Sequence, residues 1–438
     1  MSQTTSQLQF TDAGFEAFLQ SRGGEPDWLL AQRKTAWAAF QNMAWPTRRE
    51  EEWMRTDIRG FHLDRYALPS DAGDAAELPR AALSEGVELG GGIASLDSRT
   101  VRSHLEPKWA EKGVKFGSLS KLASEHSDLV RKHLFTRAVD PGYDRFAALN
   151  AACWSGGCLL HVPRGVAVDQ PFHALAAVRD GGVDLGHTLV VLEEGAEATL
   201  LLETAGFSET EGGLHCGGIE LILMPGSRLR FVSLQDWGTG TWHFAHQKAL
   251  VGRDASLQWT IGALGAKLAK VNQQVALVGE GAECQVNGVM FTEGRQSLTY
   301  NTLQHHEAEN TRSDLLYKAA LQDKSRTVWR GMIKVDPAAQ KTNGYQRNDN
   351  LLLSTTAKAD SIPGLEIEAD DVRCTHGSTS GRVDEELIFY ACCRGFTRRE
   401  AVQMIVTGFF QQVFDRIPIE SVREALGKAI SRRVREYD

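Results

Sequence analysis

The chain has 438 residues, too many for one ordinary hydrophobic core, which suggests two or three packed regions or one elongated repeat body. With 48 Lys and Arg against 56 Asp and Glu, its mildly acidic balance argues against a nucleic-acid surface spread over the molecule. The N-terminal MSQTTSQLQF lacks the basic start and apolar core of a signal peptide, and no uncharged apolar run reaches membrane-spanning length, so we expect a cytoplasmic protein that binds neither nucleic acid nor membrane.

Residues 1–145 have the pattern of helices joined by loops. Two segments, DAGFEAFLQSRG and EPDWLLAQRKTAWAAFQNM, place apolar residues at helical spacing: Phe15, Phe18 and Leu19, then Leu29, Trp37 and Phe40. A later segment, SKLASEHSDLVRKHLF, is again amphipathic. We therefore expect an N-terminal helical region.

Residues 146–383 change to short β-rich runs divided by Gly, Asp and Ser. Five segments share a β-rich run, a small-residue turn and an alternating run, with the turns at Ala196, Ser227, Ala255, Ala282 and Ser325. The repeat recurs at about thirty residues with one longer insertion. Units of this size must stack on their neighbours to bury their apolar faces, so the pattern predicts a parallel β-helix. A β-sandwich is the alternative, because it also has short strands between turns.

Residues 384–438 are predicted to be helical. Asp384 caps the segment DEELIFYACCR, which Gly395 ends, and Thr397 and Glu400 have the spacing of a capping box before a helix that Pro418 ends. The predicted fold class is therefore mainly β, with a parallel β-helix core flanked by N-terminal and C-terminal α-helical regions that cover its ends.

The stretch DDVRCTHGSTSG contains the main candidate site. Cys374 and His376 are two residues apart, so in a strand their side chains share one face and could bind one metal ion or cluster. Packing is the alternative, because cysteine is often buried and one Cys-x-His pair does not complete a tetrahedral zinc site. A missing half of the site could come from another chain. A nucleophile with its base is a weaker interpretation, because two side chains on one strand face rarely come within hydrogen-bonding distance.

Other candidate residues are assigned packing or surface roles. His305 and His306 are adjacent, and neighbours in a strand point to opposite faces, which disfavours a shared metal. The 7 cysteines are scattered and odd in number, which favours reduced thiols, and Cys392 and Cys393 are expected to pack inside their helix. The sequence contains no GxxxxGK[ST] phosphate loop, so we do not expect this chain to hydrolyse nucleotides.

Several long motifs, found in order, carry a resemblance to a known family. They are FAALNAACWSGGCLLHVPRGV, HHEAENTRSDLLYKAAL, GMIKVDPAAQKTNGYQRNDNLLL and the most specific, LLLSTTAKADSIPGLEIEADDVRCTHGSTSGRVDEELIFYACCRGFTRREAVQMIVTGFFQQVF. The whole chain resembles the SufB/SufD family of iron-sulfur cluster assembly proteins. The N-terminal PTRREEEWMRTD is similar to a motif of the SufD branch, and Ala357 and Gly377 stand where SufB-type chains carry a cysteine and a glutamate.

The resemblance implies a right-handed parallel β-helix that acts as a non-enzymatic scaffold. Such a chain pairs with a SufB-type subunit, and each of the two subunits binds one SufC-type ATPase. The resemblance does not decide whether the chain forms a homodimer when the SufB-type subunit is absent. His376 matches a histidine implicated in building an iron-sulfur cluster at the subunit interface, with Cys374 close by. The cluster would then be transient, shared with the partner and not stably bound by the isolated chain.

The resemblance also places an ATPase contact in the predicted helix from Thr397 to about Arg416. Phe409 and Phe410 are the expected contact residues, although at least one of them is expected to lie in the core. The alternatives from other classes are a β-helix carbohydrate-active enzyme, meaning a polysaccharide lyase or hydrolase, and an uncomplexed β-helix binding module. The enzyme would show a carboxylate pair or basic cluster along one face and usually a secretion signal, and neither is evident.

Overall fold

Two facing β-sheets form the centre of the protein in a computed structural model that describes residues 8–69, 77–210 and 212–434. The strands of the first sheet are β1 (Gly91–Leu96), β2 (Arg99–Leu105), β5 (Phe172–Val178), β8 (Glu197–Gly206), β10 (Arg228–Asp236), β12 (Ser256–Ala263), β14 (Glu283–Thr292), β16 (Arg312–Leu321), β18 (Asn343–Leu352) and β20 (Arg373–Arg382). Those of the second are β3 (Lys115–Ser118), β4 (Cys158–Val162), β6 (Val183–Asp184), β7 (His187–Leu192), β9 (Leu214–Leu223), β11 (Trp242–Val251), β13 (Leu268–Leu277), β15 (Ser297–His306), β17 (Arg326–Val335) and β19 (Lys358–Ile367).

From β4 onward, apart from the short β6, the chain alternates between the sheets and pairs in parallel, one coil on the next, through about eight turns. The parallel β-helix predicted from the sequence is confirmed, and the sandwich alternative is wrong. Inward-pointing side chains at every second position fill the lumen with a continuous apolar cluster, including Phe231 and its register partner Trp259, whose ring centroids are 5.4 Å apart.

The turn positions of the repeat are correct except at the last one. At four of the predicted turns, the carbonyl accepts a hydrogen bond from the first residue of a strand one coil further on in the first sheet: Ala196, Ser227, Ala255 and Ala282. We call these stacked turns a row, and Thr311 is its next member. Ser325 instead precedes β17 of the second sheet, where its carbonyl bonds Lys358. The apparent insertion arose because Ser325 was aligned with turns that precede the other sheet. The coil length itself stays near thirty residues.

The N-terminal region contains α1 (Asp12–Ser21), α2 (Asp27–Asn42), α3 (Pro107–Glu111), α4 (Leu119–Glu125), α5 (Ser127–His133) and α6 (Arg145–Cys153), with a 3-10 turn at Leu63–Arg65. The predicted apolar faces of α1 and α2 are buried. Two features differ from the sequence expectation. Strands β1 to β3 precede residue 146 and join the sheets, and α6 runs across that boundary as a helix whose N-cap is Asp144.

The PTRREEEWMRTD segment lies across the outer face of the second sheet. Trp53 is buried there, Lys270 of β13 donates to the Glu52 carbonyl at 3.1 Å, and the hydroxyls of Thr56 and Thr299 are 2.9 Å apart. Arg55 reaches Asp360 of the last coil at 3.8 Å. The N-terminal motif thus braces strands from several successive coils.

Three helices follow the last strand: α7 (Glu385–Cys393), α8 (Arg398–Phe414) and α9 (Glu420–Arg433). The Asp384 cap and the Thr397–Glu400 capping box are both formed, as predicted. α8 and α9 pack on the outer face of the first sheet through a cluster that includes Val232 and Phe291. In the parts of the chain that the structure describes, no helix is long and apolar enough to cross a membrane.

Candidate functional site

Cys374 and His376 lie on β20, the last strand of the first sheet. β20 pairs in parallel with β18, which places Cys374 beside Gly344 and His376 beside Gln346. β19 is the last strand of the other sheet, so together β19 and β20 form the final coil of the solenoid. The candidate site therefore lies at the C-terminal end of the β-helix.

The two side chains point toward the lumen and not toward the outer surface of the sheet. Cys374 packs beside a small apolar cluster that includes Ile333 and Val335, both of which face inward. His376 is two residues further along the strand and so shares that face. Cys374 is half-buried and His376 is exposed, because no further coil in the described chain lies over them.

Burial raises the pKa of the Cys374 thiol, and a backbone hydrogen bond from Gly344 opposes this only partly. The group is therefore a thiol at neutral pH in the isolated chain. A metal ligand must be the thiolate, so binding at Cys374 requires a cation close enough to displace the proton.

One chain supplies an incomplete ligand set at this end of the solenoid. Among the described residues, no group of three or more His, Cys, Asp and Glu side chains is placed to hold a metal ion. Closed metal sites usually need about four ligands. A metal or cluster held by Cys374 and His376 would thus need ligands from outside this chain.

The rim of the lumen is partly apolar. Leu365 and Ile367 of β19 pair in register with the inward-facing Ile333 and Val335, yet they are 38% and 40% exposed. Within the described residues, the edges of β19 and β20 also leave backbone N–H and C=O groups without a neighbouring strand. Open strand edges with apolar side chains are surfaces that proteins normally cover.

Ala357 and Gly377, the two positions that the sequence resemblance singled out, lie near this end. Ala357 is buried at the corner before β19 and belongs to the lumen cluster. Gly377 faces outward, where an added Cβ would meet only Arg347 Cγ at 3.9 Å. Crowding within this chain therefore does not force residue 377 to be glycine.

The phenylalanine pair of α8 is largely covered in the isolated chain. Phe410 is 0% exposed and packs in the helical cluster, and Phe409 is half-buried, with Lys318 Nζ 4.7 Å from the centre of its ring. This placement removes Phe410 from the surface of the isolated chain. It does not bring either residue near Cys374 and His376.

A group of five exposed apolar side chains lies on α7 and the adjoining parts of the chain. We call it the α7 patch, and its members are Leu387, Phe389, Tyr390, Phe396 and Met404. Phe389 is 71% exposed, the most of the five. The sequence run ELIFYACC could have indicated this surface, because it places apolar residues on every side of a short helix. Only Ile388 of that helix is buried, so the other apolar side chains stay exposed.

Cys392 and Cys393 also lie on α7 and are exposed, so the expectation that they pack inside the helix is wrong. The helix buries only one side against its neighbours, and both thiols fall on the remaining surface.

The fold and the site define a β-helix protein that presents a cysteine and a histidine at an open lumen end. A family model described as SUF system FeS cluster assembly, SufBD core domain, matches residues 175–409, and one for the SufBD protein N-terminal region matches residues 16–173. The chain therefore belongs to the SufBD family of iron-sulfur cluster assembly proteins.

Individual relatives agree with the family models. An iron-sulfur cluster assembly SufBD family protein of Staphylococcus aureus is 26% identical over 412 residues, covering 90% of this chain and 87% of the relative. A SufBD family protein of Staphylococcus haemolyticus has the same identity and coverage. The carbohydrate-active alternative receives no support from these similarities.

Proposed function

We propose that this chain is a SufD-type scaffold subunit with no catalytic turnover of its own, which pairs with a SufB-type subunit through the open end of its β-helix. The observation that carries the proposal is the final coil, where β19 and β20 expose both strand edges and the apolar rim at Leu365 and Ile367. A second β-helix could continue both sheets and cover that rim. When the SufB-type subunit is absent, the same end is open to a second copy of this chain.

The proposed cargo of the interface is a nascent iron-sulfur cluster. His376 offers an accessible imidazole and Cys374 a soft sulfur ligand, both on the lumen side of β20. Because one chain cannot complete the ligand set, the cluster would be transient, shared with the partner and poorly held by the isolated subunit.

Variants of the two candidate ligands test this proposal in the complex reconstituted with the SufB-type and SufC-type proteins. His376→Ala is expected to leave folding and partner binding nearly intact but to prevent cluster formation, and Cys374→Ala is expected to have a milder effect. His305→Ala is a matched control, because His305 lies on the outer side of β15 and bonds Asp336. Cluster formation at the normal rate by the His376 variant would show that the residue is structural.

The second part of the proposal is that the C-terminal helices bind a SufC-type ATPase. Phe409 keeps part of its ring accessible, and the α7 patch supplies the larger apolar area beside it. Apolar patches with aromatic residues are typical of protein interfaces. The patch belongs to α7 and its neighbours and the rim to β19 and β20, so the proposal assigns ATPase binding and subunit pairing to different residues.

Point substitutions test the ATPase contact better than truncation after Val383, because α8 and α9 cover apolar residues of the first sheet. We expect the double variant Phe389→Ser, Tyr390→Ser to lose ATPase binding while retaining the SufB-type subunit. Phe207→Ser is the control, since Phe207 is an exposed phenylalanine after β8. Undiminished ATPase capture by the double variant would exclude the α7 patch as the contact.

A further inference from the structure

The strand that carries Cys374 and His376 has little cover of its own. β20 is the edge of the first sheet, and in the described chain β18 is the one strand beside it. Most residues of β20 are exposed. A strand with few buried contacts and exposed backbone hydrogen bonds opens more easily than an inner strand. The direction of the His376 side chain therefore depends on the contacts that hold β20 against β18.

Three polar side chains on the outer face of the first sheet form a ladder that ends on β20. Lys318 of β16, Asp349 of β18 and Thr379 of β20 are partners in register on neighbouring strands. Lys318 Nζ lies 3.7 Å from Asp349 Oδ2, and the Thr379 hydroxyl donates to Asp349 Oδ1 at 2.6 Å. This group, which we call the Asp349 ladder, joins three successive coils of the solenoid.

The other end of the Asp349 ladder is fixed to a helix. Lys318 Nζ donates to the Phe409 carbonyl of α8 at 3.0 Å and lies over the Phe409 ring. α8 packs on β14 and β16, two inner strands of the sheet. The edge strand β20 is therefore tied, through Asp349 and Lys318, to the helix layer on the outer face.

Asp349 is the centre of this arrangement and has to keep its partners. Its side chain is 4% exposed and that of Lys318 is 9% exposed. Arg347 Nε also donates to the Asp349 carboxylate and lies 3.0 Å from each oxygen. A buried carboxylate is costly without partners, and hydrogen bonds to a charged acceptor are about twice as strong as those between neutral groups. The bond from Thr379 is thus a strong contact for an exposed side chain.

We propose that Asp349 is a positioning residue of the candidate cluster site, because it fixes β20, and with it His376, relative to the body of the solenoid. Thr379 is three residues from His376 and so lies on the opposite face of the same strand. Holding Thr379 from the outer face limits the twisting and opening of the strand that directs His376 toward the lumen. The inference rests on the proposed role of His376, but the hold on β20 is measurable in the isolated chain.

Substitutions of Thr379 test the Asp349 ladder without removing a buried charge. Thr379→Val keeps a β-branched side chain of similar size but removes the donor, whereas Thr379→Ser keeps the donor. In the full chain, Thr379→Val is expected to speed hydrogen exchange of the β20 amides that bond to β18 by about tenfold, because the lost bond favours local opening.

Two variants serve as controls for this measurement. Thr379→Ser should exchange at nearly the rate of the wild type, and so should Thr375→Val, which changes another exposed outer-face threonine of β20. Exchange at the wild-type rate in Thr379→Val would overturn the proposal, as would equal acceleration in Thr375→Val.

The complex reconstituted with the SufB-type and SufC-type proteins tests the link to His376. Thr379→Val is expected to retain partner binding but to slow cluster formation by roughly threefold or more, with recovery in Thr379→Ser. His376→Ala in the same assay separates two kinds of failure. If His376→Ala prevents cluster formation while Thr379→Val assembles clusters at the normal rate, the positioning role is wrong and the proposed site stands. Normal assembly by His376→Ala would overturn the proposed site, and the positioning role with it.

Discussion

His305 and His306 are adjacent in β15 but make contacts on opposite sides of the sheet. His305 Nε2 lies 2.9 Å from Asp336 Oδ1 on the outer side. His306 is buried in the lumen, where Nδ1 is 2.7 Å from Thr311 Oγ1 and Nε2 is 2.8 Å from Ser313 Oγ. The Thr311 hydroxyl donates to the Ala308 carbonyl, so His306 Nδ1 is the donor and Nε2 accepts from Ser313.

We predict that His306 makes the fold sensitive to mild acid. Burial lowers its pKa from 6.5 to about 3, so the unfolded chain takes up a proton between these values that the folded chain does not. This contribution to stability is fully present above pH 6.5 and is lost as the pH falls, by about 1.4 kcal/mol per pH unit. Urea unfolding at pH 7 and pH 5 should show a loss about 2 kcal/mol larger for the wild type than for His306→Gln.

The control for this prediction is His305→Gln, which changes the exposed neighbour and should keep the pH dependence of the wild type. Equal pH dependence in the wild type and His306→Gln would mean that His306 is protonated in the folded chain.

The opposite orientation of this histidine pair was predictable from sequence, because the two-residue period of a strand is a local property. The sheet into which a turn leads is not determined by local sequence. Ser325-Arg326 resembles Ser227-Arg228, yet Ser325 leads into the second sheet and Ser227 into the first. Only the stacking of successive coils decides between the two rows, and that stacking joins residues about thirty positions apart.

Glu220 of β9 is predicted to anchor the N-terminal region to the solenoid. Its fully buried carboxylate accepts hydrogen bonds from the Phe135 amide at 2.9 Å and the Val139 amide at 3.0 Å, and it lies 3.1 Å from His187 Nε2. Glu220→Gln places an N–H donor against these donors and should cost about 2–3 kcal/mol of unfolding free energy, with Glu220→Ala costing about 3–5 kcal/mol.

Urea denaturation measures both changes. Glu283→Gln serves as the control, because Glu283 is exposed on β14 and its replacement should stay within about 0.5 kcal/mol of the wild type. A loss for Glu220→Gln no larger than that of the control would contradict the anchoring role.

The two phenylalanines Phe410 and Phe389 should separate stability from binding. Phe410 is fully buried between α8 and the first sheet, so Phe410→Ala should cost about 3–5 kcal/mol of unfolding free energy. Phe389 is mostly exposed, so Phe389→Ala should change the unfolding free energy by less than about 0.5 kcal/mol. Chemical denaturation of the two variants checks both values, and similar losses would mean that α7 is packed in solution.

The candidate site shows the same division between local and distant information. The spacing of Cys374 and His376 shows that they share one face of the strand. It does not show that this face is the lumen side, which depends on packing against Ile333 and Val335 of another coil. In the same way, helical spacing identified an apolar stripe on α8 without showing which of its residues the first sheet would cover. The sequence therefore predicts periodic elements well and surfaces between elements less well.

The seven cysteines are predicted to react with a thiol reagent in three classes. Burial raises the pKa of Cys153, Cys158 and Cys284 to about 12 and that of Cys216 well above its ordinary value, so these four should react only on unfolding. The exposed Cys392 and Cys393 should react fastest, because the thiolate is the nucleophile and both groups are accessible.

Cys374 should form the intermediate class, since it is half-buried and burial raises its pKa. Stopped-flow labelling at pH 8 should therefore give two fast thiols and one slower thiol in the native chain, and Cys374→Ala should remove the slower phase alone. Pairing with a SufB-type subunit should also suppress that phase if the open lumen end is the interface, while leaving the two fast thiols unchanged. A slower phase that persists unchanged in the complex would place the interface elsewhere on the β-helix.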